Sequence, residues 1–175
     1  MDKKYVWYAC YGSNLLKERF LLYIHGGDCR FNGKRYNGCS DKSLPLDDRP
    51  YNITHKMYFA KESRSWENQG VAFIEAKNSE ETITLGRVYL ITEGQFNDIH
   101  FQEGKVWYDK ILDVGTFDGI PVKTFTHSTK FAENLPGTKY LDVVTKGLKE
   151  TYPDITEKVI DEYLRQCQMS HPDMI

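Results

Sequence analysis

The chain has 175 residues, a formal net charge of −2, 40% hydrophobic residues and 14% aromatic ones, enough apolar material for one domain with its own core. That charge excludes the electropositive footprint of a nucleic-acid binder, and no apolar run approaches the ~20 residues of a membrane span. No signal-peptide core follows Met1-Asp2-Lys3-Lys4, so a cytoplasmic single domain spanning residues 1–175 is the expectation.

Residues 5–11 (YVWYACY) are dense in aromatic and β-branched side chains and read as a buried strand. Gly12-Ser13-Asn14 breaks it, and a helix is expected from Leu15 to about His25, with Ser13 or Asn14 as its cap and Gly26-Gly27 as its stop. Residues 28–50 form a polar, Gly- and Asp-rich connection long enough to suggest either a lid or a structural insertion. Strands are expected over residues 51–60, 70–76 and 84–91. Thr92 and Gln95 have the spacing of a capping box, opening a short helix that Gly104 closes. Two more strands, 106–114 and 122–126, flank an Asp118-Gly119 hairpin turn. The tail reads as two helices, residues 138–150 and from Asp154 to near Met169, packed on the rest. Strands first and helices last argue for an α+β fold: a strongly bent sheet or small barrel of five to seven strands, flanked by helices.

Four cysteines (Cys10, Cys29, Cys39, Cys167) and five histidines (His25, His55, His100, His127, His171) show no metal-ligand or redox spacing. They read as free thiols and ordinary histidines. No metal and no cofactor is expected. The strand–turn–helix at residues 8–16 would expose backbone N–H groups at a helix start, a cradle for an anion. It lacks the glycine spacing of a dinucleotide loop and the Lys-Ser/Thr pair of a phosphate loop. Ser13 does not sit in a nucleophile elbow. By itself the motif is equally a tight turn with a cap.

Tyr8-Ala9-Cys10-Tyr11-Gly12-Ser13-Asn14-Leu15, with Arg19 four residues on, resembles the opening motif of the γ-glutamylcyclotransferases. Trp66-Glu67-Asn68-Gln69-Gly70-Val71-Ala72 is similar to that family's Trp-x-Gly-Gly-x-Ala entry, with Gln69 in place of the first glycine. Gln102-Glu103-Gly104 follows a strand and short helix, as the family's catalytic Glu does. Pro136-Gly137-Thr138-Lys139-Tyr140-Leu141 is similar to its Pro-x-x-x-Tyr-Leu helix start. The four matches fall in order over residues 5–150.

The resemblance implies a transferase- or lyase-type reaction on a small γ-glutamyl substrate. The substrate's α-amine attacks its own γ-carbonyl, giving 5-oxoproline and a released amine or amino acid. Glu103 would be the general base, its pKa raised by burial among Trp7, Tyr8, Tyr11 or Phe101. The stretch from Tyr8 through Ala9, Cys10, Tyr11, Gly12 and Ser13 to Asn14 would bind the glutamyl group, with Tyr140 near the cavity mouth. Glu93, in the first turn of its helix, is the competing carboxylate and reads as structural. Arg19 reads as a scaffold residue paired with an acidic side chain. The alternative is a non-catalytic binding or regulatory module on the same fold. Both the identity of the leaving group and pairing into a homodimer stay open.

Overall fold

The computed structural model describes residues 2–168. In chain order its elements are β1 (Tyr5–Cys10), a single 3₁₀ turn (Ser13–Leu15), α1 (Lys17–His25), β2 (Gly27–Asp28), β3 (Arg35–Tyr36), β4 (Asp48–Ile53), β5 (Met57–Ser63), a second 3₁₀ turn (Arg64–Trp66), β6 (Gln69–Ile74), β7 (Thr84–Thr92), α2 (Glu93–Glu103), β8 (Lys110–Phe117), β9 (Ile120–Thr126), α3 (Thr138–Thr151) and α4 (Glu157–Cys167). The expected helix end near Met169 and the histidine at 171 lie outside the described residues.

The architecture is α+β. Five strands form one sheet in the order β4-β7-β1-β9-β8. All neighbours are antiparallel except β1 and β9, where Trp7 and Tyr8 run parallel to Val122 and Lys123. β1 is central and almost wholly buried, because it carries apolar and aromatic side chains on both faces. The sheet does not close into the barrel held open as an alternative. Among the described residues β4 and β8 each pair with one neighbour only, while β5 and β6 form a separate antiparallel pair. Side chains join that pair to the main sheet: the Thr126 hydroxyl, from β9, bonds both the N–H and the carbonyl of Ile74.

Local chemistry explains several boundaries. Thr92 and Gln95 form a reciprocal capping box at the start of α2, and Gly104, with φ +97°, ends it. Asp118 and Gly119, both at positive φ, make the β8–β9 turn, as a tight hairpin requires.

Other expectations need correction. The strand read over residues 51–60 is two strands in different sheets. The chain bends at His55, whose ring bonds the Glu75 carbonyl at 2.8 Å and whose own carbonyl accepts from the Thr84 hydroxyl at 2.6 Å. Residues 106–109 are a turn and not strand, with the Tyr108 N–H bonded to the Gly104 carbonyl at 3.1 Å. Residues 28–50 are no free lid. They hold the small β2–β3 hairpin and are strapped down: the Cys39 N–H reaches the Ile24 carbonyl at 2.8 Å, and the Gln95 amide donates to the carbonyls of Asp41 and Ser43. All four cysteines are buried and unpaired.

Candidate active site

The Tyr11–Asn14 turn leaves β1 at the centre of the sheet, and β7 and α3 hold it from both sides. The Tyr89 hydroxyl donates to the Asn14 carbonyl at 2.9 Å, and Arg87 Nη1 donates to the Leu15 carbonyl at the same distance. Arg87 is itself fixed by Asp48 and Glu150. Gly147 lets α3 rest directly on the turn, since a Cβ there would meet Leu15 Cβ at 2.5 Å.

The turn's geometry corrects the expected helix start. Residues 13–15 form a single 3₁₀ turn, and extended backbone at Leu16 separates it from α1. Neither Ser13 nor Asn14 caps a helix through its side chain. The turn at residues 13–15 therefore brings no helix dipole of its own to the site, since aligned peptides over several turns are needed to build one. What remains is the set of amides at the start of the turn, which have no intrahelical partner.

The Asn14 side chain points to the end of α2, where Nδ2 donates to Glu103 Oε1 at 2.9 Å and to the Tyr8 hydroxyl at 3.1 Å. A cleft of about 370 Å³, measured out to open solvent, is lined by Tyr8, Cys10, Tyr11, Gly12, Ser13, Asn14, Ala72, Glu103, Tyr108, Thr124, Phe125 and Tyr140. Glu103 and Gly12-Ser13 thus share one small volume. Glu103 is half-buried as a residue, but protein surrounds its carboxylate closely. Burial raises its pKa from the ordinary glutamate value, and the Arg19 charge and the Asn14 hydrogen bond partly oppose that rise.

Aromatic hydroxyls tie the walls together. Tyr11 donates to the Phe125 carbonyl at 2.7 Å and Tyr108 to the Ala72 carbonyl at 3.0 Å. The Ala72 N–H donates to the Tyr140 hydroxyl, also at 3.0 Å. Tyr140 is buried and lies against Gly12, so it stands inside the wall and not at the mouth. Ala9 does not line the cleft: it is completely buried in the pleat of β1, and its carbonyl accepts from the Thr124 hydroxyl. Phe101 is 73% exposed, and Trp7 points to Phe117 on β8, so neither shields Glu103. Glu93 is exposed at the start of α2. Among the described residues Arg19 forms no ion pair with an acidic side chain, and it bonds the hydroxyls of Tyr23 and Tyr36. Tyr108, Thr124 and Phe125 went unnoticed in the sequence. Tyr108 follows Glu103 by five residues, but the turn that aims it inward carries no periodic pattern.

The fold has solved counterparts. A γ-glutamyl cyclotransferase superposes with a TM-score of 0.65 at 20% identity, over 92% of this chain and 87% of that one. An uncharacterized protein from Homo sapiens gives 0.64 at 20% identity, over 93% and 88%. YkqA from Bacillus subtilis gives 0.60 at 18%, over 94% of this chain and 55% of its own. The chain has the γ-glutamylcyclotransferase-like fold. No family model matches it. Histone deacetylase 5 of Arabidopsis thaliana is 34% identical over 152 residues, which is 86% of this chain and 23% of that protein. The chain therefore spans less than a quarter of the curated relative it matches. Among the described residues no group of three or more His, Cys, Asp or Glu side chains is placed to hold a metal ion, and no helix is long and apolar enough to cross a membrane.

Proposed function

We propose that this chain cyclises a γ-glutamyl compound, releasing 5-oxoproline and an amine or amino acid, with Glu103 as general acid and base. The observation that carries this reading is the Glu103 carboxylate, held by Asn14 in the small cleft formed by the Tyr11–Asn14 turn. The fold it shares with a γ-glutamyl cyclotransferase supports the same reading.

The substrate's α-ammonium loses a proton to Glu103, and the freed amine attacks the γ-carbonyl of the same glutamyl group. A C–N bond closes the five-membered ring and the carbonyl oxygen becomes an oxyanion, for which the backbone amides of Gly12 and Ser13 in the cleft wall are the proposed donors. As the oxyanion collapses and the old C–N bond breaks, Glu103 gives its proton to the leaving nitrogen. It then takes the second proton from the ring nitrogen, leaving the neutral lactam, and passes it to the departing amine, which leaves as an ammonium. Attack within one molecule draws much of its rate from positioning, with effective molarities on the order of 10⁵ M or more. The protein must fold the chain, move two protons from the attacking to the leaving nitrogen and stabilise one charge. A carboxylate with a raised pKa suits the second task, because proton transfer from an ammonium to a fully solvated Glu is strongly uphill.

The experiment is 5-oxoproline release from a panel of γ-glutamyl dipeptides and γ-glutamyl amines. Release from none of them would remove the catalytic reading. A second reading, a small-molecule-binding module, gains support from the similarity of this chain to a segment of a longer protein. It predicts binding of the same compounds without turnover.

A further inference from the structure

A second cavity of about 540 Å³, measured out to open solvent, adjoins the first and shares Ser13, Glu103, Tyr108 and Tyr140 with it. Its lining also includes Arg19 and Lys34. Arg19 is 2% exposed. Its Nη2 donates to the hydroxyls of Tyr23 and Tyr36, and its guanidinium lies over both rings, 4.8 and 4.5 Å from their centroids. Nε and Nη1 are buried with no hydrogen-bond partner. Lys34 is exposed on the β2–β3 hairpin, with Nζ 5.2 Å from the centre of the Tyr36 ring. Among the described residues neither cation forms an ion pair with a carboxylate.

A buried cation with no directly paired anion is costly, and phenol hydroxyls and ring faces offset only part of this. Among the described residues Glu103 is the one carboxylate in the lining of this cavity, and its charge acts on both Arg19 and Lys34. It accepts its hydrogen bond from Asn14, however, and forms an ion pair with neither cation, so two cations face a single, directly unpaired carboxylate. Charge complementarity assigns the second anion to a ligand.

We infer that this second cavity is a carboxylate subsite, in which Lys34 contacts the anion and the buried Arg19 supplies the field beneath it. The inference rests on the cyclisation reading for the identity of the ligand. A γ-glutamyl amino acid has two carboxylates, one on the glutamyl Cα and one on the leaving amino acid. Either can occupy the subsite while the γ-carbonyl stays beside Glu103.

The test measures binding by calorimetry in Glu103→Gln protein, with and without Lys34→Met. The probes are γ-glutamylalanine, γ-glutamylethylamide (no leaving-side carboxylate) and 4-aminobutanoylalanine (no glutamyl carboxylate). Lys34→Met should weaken γ-glutamylalanine at least tenfold, and Lys34→Arg should restore most of the affinity. Of the truncated probes, the one that retains the bound carboxylate should lose affinity with Lys34→Met, which identifies the source. A change of less than twofold for all three, or no binding of any, overturns the subsite. Turnover by the unaltered protein is scored separately. Lys34-dependent binding without 5-oxoproline release refutes the cyclisation reading and leaves the subsite standing. Turnover with Lys34-independent binding refutes the subsite alone.

Discussion

Asn14 and Glu103 are eighty-nine positions apart in the chain, and the amide of one donates to the carboxylate of the other at 2.9 Å. The same nitrogen reaches the Tyr8 hydroxyl at 3.1 Å, and Asn14 Oδ1 is buried with no partner. Asn14 therefore orients the proposed base from the opposite wall of the cleft, and its backbone is held in turn by Tyr89. The contact joins the first loop of the chain to the end of α2, so it depends on the whole central sheet being in place.

Asn14→Ala should lower kcat by about tenfold or more, since a hydrogen bond to a charged group contributes about 1.5–3 kcal/mol. The acid limb of the pH–rate profile should move to higher pH as well. The sign follows because the Asn14 bond lowers the Glu103 pKa, so deleting it raises that pKa. A fall in kcat with an unmoved acid limb would reduce Asn14 to a packing role.

Glu103→Gln should lower kcat at least 100-fold with the circular dichroism spectrum unchanged, since loss of a general base costs about 10²-fold or more. Gln keeps the size and can still accept from Asn14, but it cannot take the ammonium proton. Glu93→Gln is the control, because Glu93 is exposed at the other end of α2, and it should change activity less than twofold. If the two variants exchange these outcomes, the roles of the two carboxylates are reversed.

The same carboxylate should leave a mark on stability. Its pKa is raised in the folded state, first by burial, with the Arg19 and Lys34 charges and hydrogen bonds from Asn14 and Tyr23 pulling the other way. Folding therefore favours the protonated form. Its contribution is full below the unfolded-state pKa of about 4.3 and is lost as pH rises through the folded-state value. At pH 7 Glu103→Gln should raise Tm above that of the unaltered protein, and the gap should narrow as pH falls toward 4. A gap that widens on acidification would mean the folded-state pKa is lowered instead.

Features set by neighbouring residues were legible in the sequence. The β1 run of aromatic and β-branched residues, the Thr92–Gln95 box, Gly104 and the Asp118-Gly119 turn all act within a few positions of themselves. The misread segments depend on distant partners. Alternation continues through residues 51–60 although the chain changes sheets at His55, because period-2 patterning records which side is buried and not which strand is adjacent. Residues 28–50 look like an open loop, but their anchors are Ile24, Gln95 and Gln102 on two helices. Arg19 illustrates the same limit. Its position on α1 suggested an acidic partner, whereas folding places two tyrosines around it. Only the resemblance of Gln102-Glu103-Gly104 to a family motif singles out Glu103 in the sequence, and it is the packing of that helix end against the β1 turn that puts the carboxylate inside a cleft.

The contact between Gly12 and Tyr140 gives a steric prediction. A Cβ on Gly12 would stand 2.5 Å from the Tyr140 hydroxyl and 3.1 Å from Ala72 Cβ. Gly12 has a φ of −116°, outside the left-handed region that favours glycine. The main penalty for Gly12→Ala is therefore overpacking, typically about 1–3 kcal/mol, with Tyr140 displaced from the Ala72 N–H and the cleft narrowed. Gly12→Ala should lower both Tm and kcat/KM. Tyr140→Phe removes the oxygen that clashes and leaves the Ala72 N–H without its acceptor, so it should destabilise moderately by itself. Combined, the two changes should cost less than the sum of the separate effects, because loss of the hydroxyl vacates the space the new methyl needs. Thermal or denaturant unfolding of the four proteins gives the coupling directly. Strict additivity would show that Gly12 is not required by Tyr140, and that a different neighbour sets the shape of this wall.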